Sequence, residues 1–329
     1  MIITKTPYRV SFFGGGTDFP EWYDKYQGIV LSTTIDFHLY ISVKPLPLFD
    51  KSVNNKIFYS KIENVKKISQ IKHKVFRDYY NFIKLKSPLE VNLSSDLPAK
   101  SGMGSSSTFI VGLIGTISSH FKKKLSTKEL CSKAIYFEQK ILKEYCGSQD
   151  QVIASYGGFN KILFKKNNIK VSKVKITTKR KKQLENNLYL IFTNFSRKAS
   201  SVEKDKIQNI NKNKKIYDKI YDITKQSIKI IENKNSNLDD FGRLLNDMWK
   251  IKKKTSSKVS NKALDKIYNK GIKNGATGGK LLGAGNGGFL LFYVKKGNKK
   301  KFLKSMSKYL YIPFKFSDEG HKIIYNAHD

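Results

Sequence analysis

The sequence predicts an α+β protein, and three observations carry that prediction. Runs of β-branched and aromatic residues, the mark of strands, fill much of the first half. From about residue 201 to 274 the pattern changes to long lysine-rich helices, with apolar residues such as Ile216, Ile220, Ile223 and Ile230 at helical spacing. After them come strand, glycine loop, strand, helix and short final strands, which is not a regular βαβ wind. With 329 residues the chain is long enough for two packed domains or for one large α/β unit.

Taken in order, IITKTPYRVSFF reads as two short strands interrupted at Pro7 and ending in GGGTD at 14–18. A glycine loop flanked by the cation Arg9 and the carboxylate Asp18 can grip a polyhydroxylated ligand. Residues 29–43 suggest paired strands around a turn near Asp36, and 45–80 give no clear motif. Strand signal returns at LEVNLSS, 89–95, and leads into PAKSGMGSSS, 98–107, and the apolar run FIVGLIGTI. Helices are expected from this loop onward, from Thr127 to Lys143 and from Ser148 to Ser155, then strands at 159–164, 170–176 and 188–193. Near the end, GATGGKLLGAGNGGFLLFYV holds a glycine-rich connection, followed by a helix near 298–309.

Hydrophobic residues make up 39% of the chain and are interleaved with charge, which implies a soluble globular protein. No apolar stretch approaches the roughly 20 residues needed to span a bilayer, and the start lacks a signal-peptide layout, so no membrane association and a cytoplasmic location are expected. Cys131 and Cys146 have no metal spacing and read as free thiols. A net charge of +37 raises nucleic acid as a partner. The lysines are spread along the whole chain, however, and the clusters at 179–182, 250–254 and 295–301 read as solvated surface, with no specific nucleic acid implied.

The loop at 98–107 packs two glycines and four serines ahead of a helix. Serine hydroxyls can cap that helix, and its free N–H groups and dipole can hold an anion. The loop alone leaves both readings open. Other phosphate-binding signatures are eliminated: GAGNGG at 283–288 matches the dinucleotide pattern but precedes a strand, and GATGGK at 275–280 lacks the P-loop spacer.

Three segments, PYRVSFFGGGTD, LPAKSGMGSSS and GGKLLGAGNGG, in this order and across most of the chain, together resemble the three motifs of the GHMP kinases, the superfamily named for galactokinase, homoserine kinase, mevalonate kinase and phosphomevalonate kinase. The resemblance implies a two-domain α+β fold: an N-terminal domain like ribosomal protein S5, taken as residues 1–185, and a ferredoxin-like α+β domain, residues 186–329. It implies ATP between them, with its phosphates on Pro98, Ala99, Lys100, Ser101, Gly102, Met103, Gly104, Ser105, Ser106 and Ser107. GSQDQ at 147–151 resembles the segment where sugar kinases of this family carry their catalytic aspartate, which assigns Asp150 to accept or orient the proton of the acceptor hydroxyl. Arg9 matches the basic residue beside the reacting groups. Asp18, with Gly15 and Gly16 of the same loop, matches the acid that binds sugar hydroxyls. Mg²⁺ falls by the same resemblance to the Ser106 hydroxyl and the Glu138 carboxylate; on sequence alone Glu138 is equally an exposed helical acid paired with a lysine.

GGGTD replaces the glycine–glutamate–histidine form of galactokinases. RVSFFGGGTDFPEWYDKYQGIVLSTTID resembles instead the bacterial D-glycero-D-manno-heptose 7-phosphate kinases, which implies phosphorylation at C1 to the 1,7-bisphosphate, for nucleotide-activated heptose and surface glycans. TNFSRKASS at 193–201 shares that resemblance and offers Arg197 or Lys198 to the substrate phosphate. The alternatives are another sugar 1-kinase, of fucose or galactose type, and a non-catalytic homologue that senses sugar or binds nucleic acid. A monomer or homodimer acting on ATP and a small sugar phosphate is expected.

Overall fold

The computed structural model describes residues 1–47, 49, 52–99, 101–195 and 199–327. β1 (Ile2–Phe13) and β2 (Gly28–Pro45) are long antiparallel partners joined through the first glycine loop and the short α1 (Pro20–Tyr23). The expected break at Pro7 and turn near Asp36 are both absent. Pro7 is accommodated because the pairing register shifts between Pro7 and Arg9, and a bulge tolerates a residue without an N–H. Asp36 stays in the strand because its N–H donates to Lys315 O while its carboxylate accepts from Lys315 N at 2.7 Å.

The stretch without a motif holds β3 (Asn55–Phe58), β4 (Ile62–Val65) and α2 (Lys74–Phe82). β3 pairs in parallel with β5 (Leu89–Ser95), and β5 pairs with the second half of β2. α3 (Ser105–His120) is apolar on all sides and is therefore buried from Ser107 to Ile117, packed on β1 and β2. α4 (Thr127–Tyr136) opens with a Ser126–Glu129 capping box. It does not run on regularly to Lys143: a π-helical turn, Phe137–Ile141, takes over. α5 (Gln149–Tyr156) packs under α3 and α4, and β6 (Phe159–Lys165) pairs with the first half of β2 and with β7 (Asn168–Lys173).

α6 (Thr178–Asn186), not foreseen, leads to β8 (Leu188–Phe192). The helical block consists of α7 (Ala199–Gln208), α8 (Lys214–Glu232), α9 (Asp239–Lys253) and α10 (Lys262–Lys273). β9 (Ala276–Leu281) and β10 (Phe289–Val294) flank the late glycine loop, so a strand does follow GAGNGG. After α11 (Lys299–Ser305), β11 (Tyr311–Ile312) completes a second antiparallel sheet of order β11–β8–β10–β9. The chain then returns to the first sheet, where β12 (Phe316–Ser317) pairs with β2 and β13 (Lys322–Asn326) pairs with β1.

The two sheets meet around the second half of β1, buried from Tyr8 to Phe13 because α3 and α5 from one side of the chain and α8 and α9 from the other all reach it. Phe12 and Phe13 both meet Phe241 of α9 edge-on, with ring centres 5.4 and 5.1 Å apart. The Lys280 ammonium adds a polar tie, donating to Ser11 O and Phe12 O at 2.9 and 2.8 Å. Among the described residues no helix is long and apolar enough to cross a membrane, and both cysteines are free.

Candidate active site

A cavity of about 820 Å³ opens where β1, the start of α3, the π-helical turn, the start of α5 and the late glycine loop converge. Its first wall comes from β1. Arg9, buried at the bulge, sends Nε to Asp150 Oδ1 at 2.7 Å and Nη2 to Asp150 Oδ2 at 2.6 Å, a bidentate pair that fixes both planar groups. Its Nη1 donates to Gly102 O at 2.8 Å, so one guanidinium joins the β1 bulge, the serine-rich loop and the first turn of α5. Arg9 uses two acceptor positions of a carboxylate that offers about four, and Asp150, with a side chain 21% exposed, keeps the others towards the cavity.

The glycine loop after β1 supplies Gly15, Gly16 and Asp18 to the same wall. Asp18 is held from two directions: Gly16 N donates to Oδ1 at 2.7 Å and Gln149 N to Oδ2 at 3.2 Å. Burial pushes its carboxyl above the usual range, the Gly16 N–H pulls the other way, and the nearby negative charge of Asp150 adds to the rise.

The serine-rich loop forms the opposite side. Its helix begins without a side-chain cap: Gly104, with φ 82°, is the N-cap residue of α3. The hydroxyls expected to cap are engaged elsewhere. Ser101 and Ser105 contact each other at 3.2 Å, while Ser106 and Ser107 donate to Glu138 Oε1 and Oε2 at 2.9 and 2.7 Å. The first N–H groups of α3 are thereby left to the cavity, an arrangement suited to phosphate. Gly102 and the late loop touch backbone to backbone. A Cβ on Gly283 would lie 2.6 Å from Gly102 Cα, so only glycine allows the two loops to meet.

Glu138 faces inward, not outward towards a lysine; it is 2% exposed. It follows the buried Cys131 and Ala134 at helical spacing and sits in the π-helical turn, a feature frequent at functional sites. Three neutral groups donate to it, Ser106, Ser107 and Gln151 Nε2, the last at 2.6 Å, yet burial still pushes its carboxyl up to about 7. No described cation pairs with it. A buried carboxylate short of positive charge, with a hydroxyl oxygen beside it at the start of a helix, fits Mg²⁺, which takes few protein oxygens and completes its shell from phosphate and water. Among the described residues no cluster of three or more acidic, histidine or cysteine side chains offers a different metal site.

Of the residues the sequence points to, Arg9, Asp18, Glu138 and Asp150 line the cavity, together with Gly15 and Gly16. Ala99, Gly102, Gly104, Ser105, Ser106 and Ser107 line it as well. Pro98 is exposed beside it, whereas Ser101 and Met103 are buried behind the loop. Lys100 and Arg197 lie outside the described residues, as does Lys198. Sequence reasoning missed four charged groups on the cavity wall, Glu203, Lys206, Lys252 and Lys280, and an apolar arm that includes Tyr59, His73 and Phe109. Lys252 belongs to the cluster read as solvated surface; its Nζ instead donates inward to Leu281 O at 2.8 Å and to Gly283 O.

Comparison with known proteins gives the family. The GHMP kinases N terminal domain family matches residues 66–158, and the GHMP kinases C terminal family matches residues 228–312. A D-glycero-alpha-D-manno-heptose 7-phosphate kinase of Campylobacter jejuni is 33% identical over 98% of this chain and 98% of its own length. A mevalonate kinase of Methanocaldococcus jannaschii is 29% identical over 70% of this chain and 69% of its own. Among solved structures, a D-glycero-D-manno-heptose 1-phosphate kinase from Bacteroides thetaiotaomicron superposes with a TM-score of 0.80, covering 99% of this chain and 100% of that one at 24% identity, a match of fold.

Proposed function

The chain belongs to the GHMP kinase family and is an ATP-dependent sugar kinase, and from that premise we propose that its acceptor is D-glycero-D-manno-heptose 7-phosphate. The γ-phosphoryl group of ATP passes to the C1 hydroxyl, giving the 1,7-bisphosphate and ADP for nucleotide-activated heptose and surface glycans. The observation that carries the choice of acceptor is the end-to-end similarity to the Campylobacter jejuni heptose 7-phosphate kinase. We further propose that residues 1–185 and 186–329 act as two domains around the cavity, with β12 and β13 returning to the first.

In this reading the phosphates of ATP lie on the N–H groups at the start of α3, whose dipole favours negative charge. Asp18, with its orientation set by Gly16 and Gln149, accepts from sugar hydroxyls. Asp150 accepts a hydrogen bond from the C1 hydroxyl on a lone pair that Arg9 leaves free, aligns its oxygen with the γ-phosphorus and takes the proton as the new O–P bond forms and the bond to the leaving ADP oxygen breaks. Arg9 keeps that carboxylate in place and sets positive charge beside the transferred group. Ser106 and Glu138 would hold Mg²⁺, which supplies charge neutralisation on the phosphates when bound.

The test is a panel of sugars and sugar phosphates with ATP and Mg²⁺, followed by ADP release and by phosphorus NMR of the product. Selective turnover of heptose 7-phosphate with a new anomeric phosphate is expected. Equal turnover of unphosphorylated hexoses moves the chain to another sugar 1-kinase.

A further inference from the structure

Three lysines line the cavity, Lys206 from α7, Lys252 from α9 and Lys280 from β9; Lys280 belongs to the late glycine motif, and Lys206 and Lys252 lie outside every motif. None of them has a described carboxylate oxygen within ion-pair distance, and Glu203 is the main negative charge that Lys206 feels. Each donates to carbonyl oxygens instead. Lys280 is tied to Ser11 O and Phe12 O and braces the end of β1. Lys252 donates to Leu281 O and Gly283 O, and Lys206 donates to Ala284 O, so these two sit side by side on consecutive carbonyls of the late glycine loop. An ammonium has three N–H groups, which leaves Lys206 and Lys252 with donors that no described residue takes.

This arrangement is costly as it stands. Burial holds all three ammonium groups below the usual lysine range; Lys252 and Lys280 also feel the charges of Arg9 and Lys206, and Asp18 and Glu203 offset the repulsion only in part. The groups that would complete it are anionic oxygens able to accept several N–H bonds at once. ATP already has a place for its phosphates at the start of α3, across the Gly102–Gly283 contact. Lys206 and Asp18 line the same cavity, and the proposed function puts the sugar at Asp18.

We infer that Lys206 and Lys252 form the seat of a phosphate group carried by the acceptor sugar. The inference rests on the sugar-kinase reading and extends it, because it makes a phosphorylated acceptor a requirement of the cavity's own charge. A neutral sugar leaves the two ammonium groups unmatched. A sugar phosphate matches them while Asp18 and Asp150 hold its other end.

The experiment uses the full chain saturated with a non-hydrolysable ATP analogue, so that the ATP site is occupied, and titrates it calorimetrically with heptose 7-phosphate and with unphosphorylated heptose. Lys206→Gln and Lys252→Gln retain an amide N–H for the loop carbonyls and remove the charge. Each is expected to weaken heptose 7-phosphate by about ten- to a hundred-fold, the size of a lost charge-assisted hydrogen bond, and to leave the ATP analogue within about threefold. Lys206→Arg and Lys252→Arg, which restore the charge, are expected to recover most of the binding and control for loss of fold. Unchanged affinity for the sugar phosphate in the Gln variants overturns the inference. So does weakening of the ATP analogue to the same degree, which gives these lysines to ATP. If the wild type ignores heptose 7-phosphate, the same titration with hexose 6-phosphates separates the two claims: lysine-dependent binding there keeps the phosphate seat and removes heptose as the acceptor, and no lysine-dependent binding of any sugar phosphate removes the seat.

Discussion

Asp150→Asn is the sharpest single test of the site. The wild-type carboxylate receives two charge-assisted hydrogen bonds from Arg9, at 2.7 and 2.6 Å, and the Arg9 side chain is only 5% exposed. Asparagine keeps the shape but presents one acceptor, so one guanidinium N–H is left facing an amide N–H, and Gly102 O becomes the main remaining partner of a buried cation. Breaking a buried pair on one side costs about 3–5 kcal/mol; the open face of Asp150 lets water in, so about 2–3 kcal/mol of stability is expected to be lost here. Turnover should suffer more. Loss of a positioned proton acceptor lowers kcat by about 10²–10⁴, or roughly 3–5 kcal/mol of transition-state stabilisation. Stability and turnover are separated by a thermal melt, steady-state ADP release well below the melting temperature, and calorimetric titration with a non-hydrolysable ATP analogue. The analogue should bind within about threefold of wild type, because the start of α3 is untouched. A variant that melts lower as expected yet keeps kcat within about tenfold would refute the assignment of Asp150 to the chemistry and leave it as a structural anchor for Arg9.

Gly104→Ala forces a side chain into the left-handed region at a cost of about 1–2 kcal/mol, and its Cβ would arrive 3.3 Å from both Arg9 Cγ and Asp150 Oδ2. Turnover should fall by about tenfold or more in a folded protein by circular dichroism, and unchanged kcat would mean that the pair tolerates displacement. Glu138→Gln removes the charge offered to Mg²⁺, so the Mg²⁺ concentration for half-maximal rate should rise by about tenfold or more. The same variant reports on pH. The folded carboxyl is raised from 4.5 to about 7, so its contribution is fully present below pH 4.5 and fades as pH rises through 7. Metal-free wild type should lose about 3 kcal/mol relative to Glu138→Gln across that window, read from urea melts. His321, which contacts Thr6 Oγ1 through Nδ1 at 2.9 Å, acts with the opposite sign. Burial lowers its pKa from 6.5 to about 4, so its stabilisation is complete above pH 6.5 and is lost as pH falls through 4; His321→Gln should remove up to about 3 kcal/mol of acid sensitivity.

The elements that were legible are those whose pattern is local. The apolar run after the serine-rich loop reads as a helix and is one, and the strand expected after GAGNGG, which argues against a dinucleotide turn, is present. The illegible ones depend on distant partners. Asp36 looks like a turn residue until Lys315, far along the chain, is seen to satisfy both its N–H and its carboxylate. β3 is ordinary sequence until β5 offers it a parallel edge. Glu138 was ambiguous because its spacing from the buried Cys131 and Ala134 puts it on the inner face, whereas a charged residue in a lysine-rich chain equally suits an exposed ion pair. Lys252 was misread for a compositional reason: in a chain with 63 lysines and arginines, no spacing separates the one that turns inward from those that face water.

The same contrast explains why the reaction could be read before the acceptor. Phosphate binding and the meeting of the serine-rich loop with the late glycine loop both need backbone brought closer than a side chain allows, and such contacts leave glycines in the sequence. Gly102 and Gly283 belong to motifs about 180 residues apart, yet each is required by the other: a methyl group on Gly283 would collide with Gly102 Cα and push the late loop off the loop that leads into α3. The Lys206 and Lys252 ammonium groups hang on the carbonyls of that same late loop. One backbone contact therefore positions the ATP side and the proposed sugar-phosphate side together, so a Cβ at Gly283 should weaken both ligands, whereas Lys206→Gln or Lys252→Gln should weaken only the sugar phosphate.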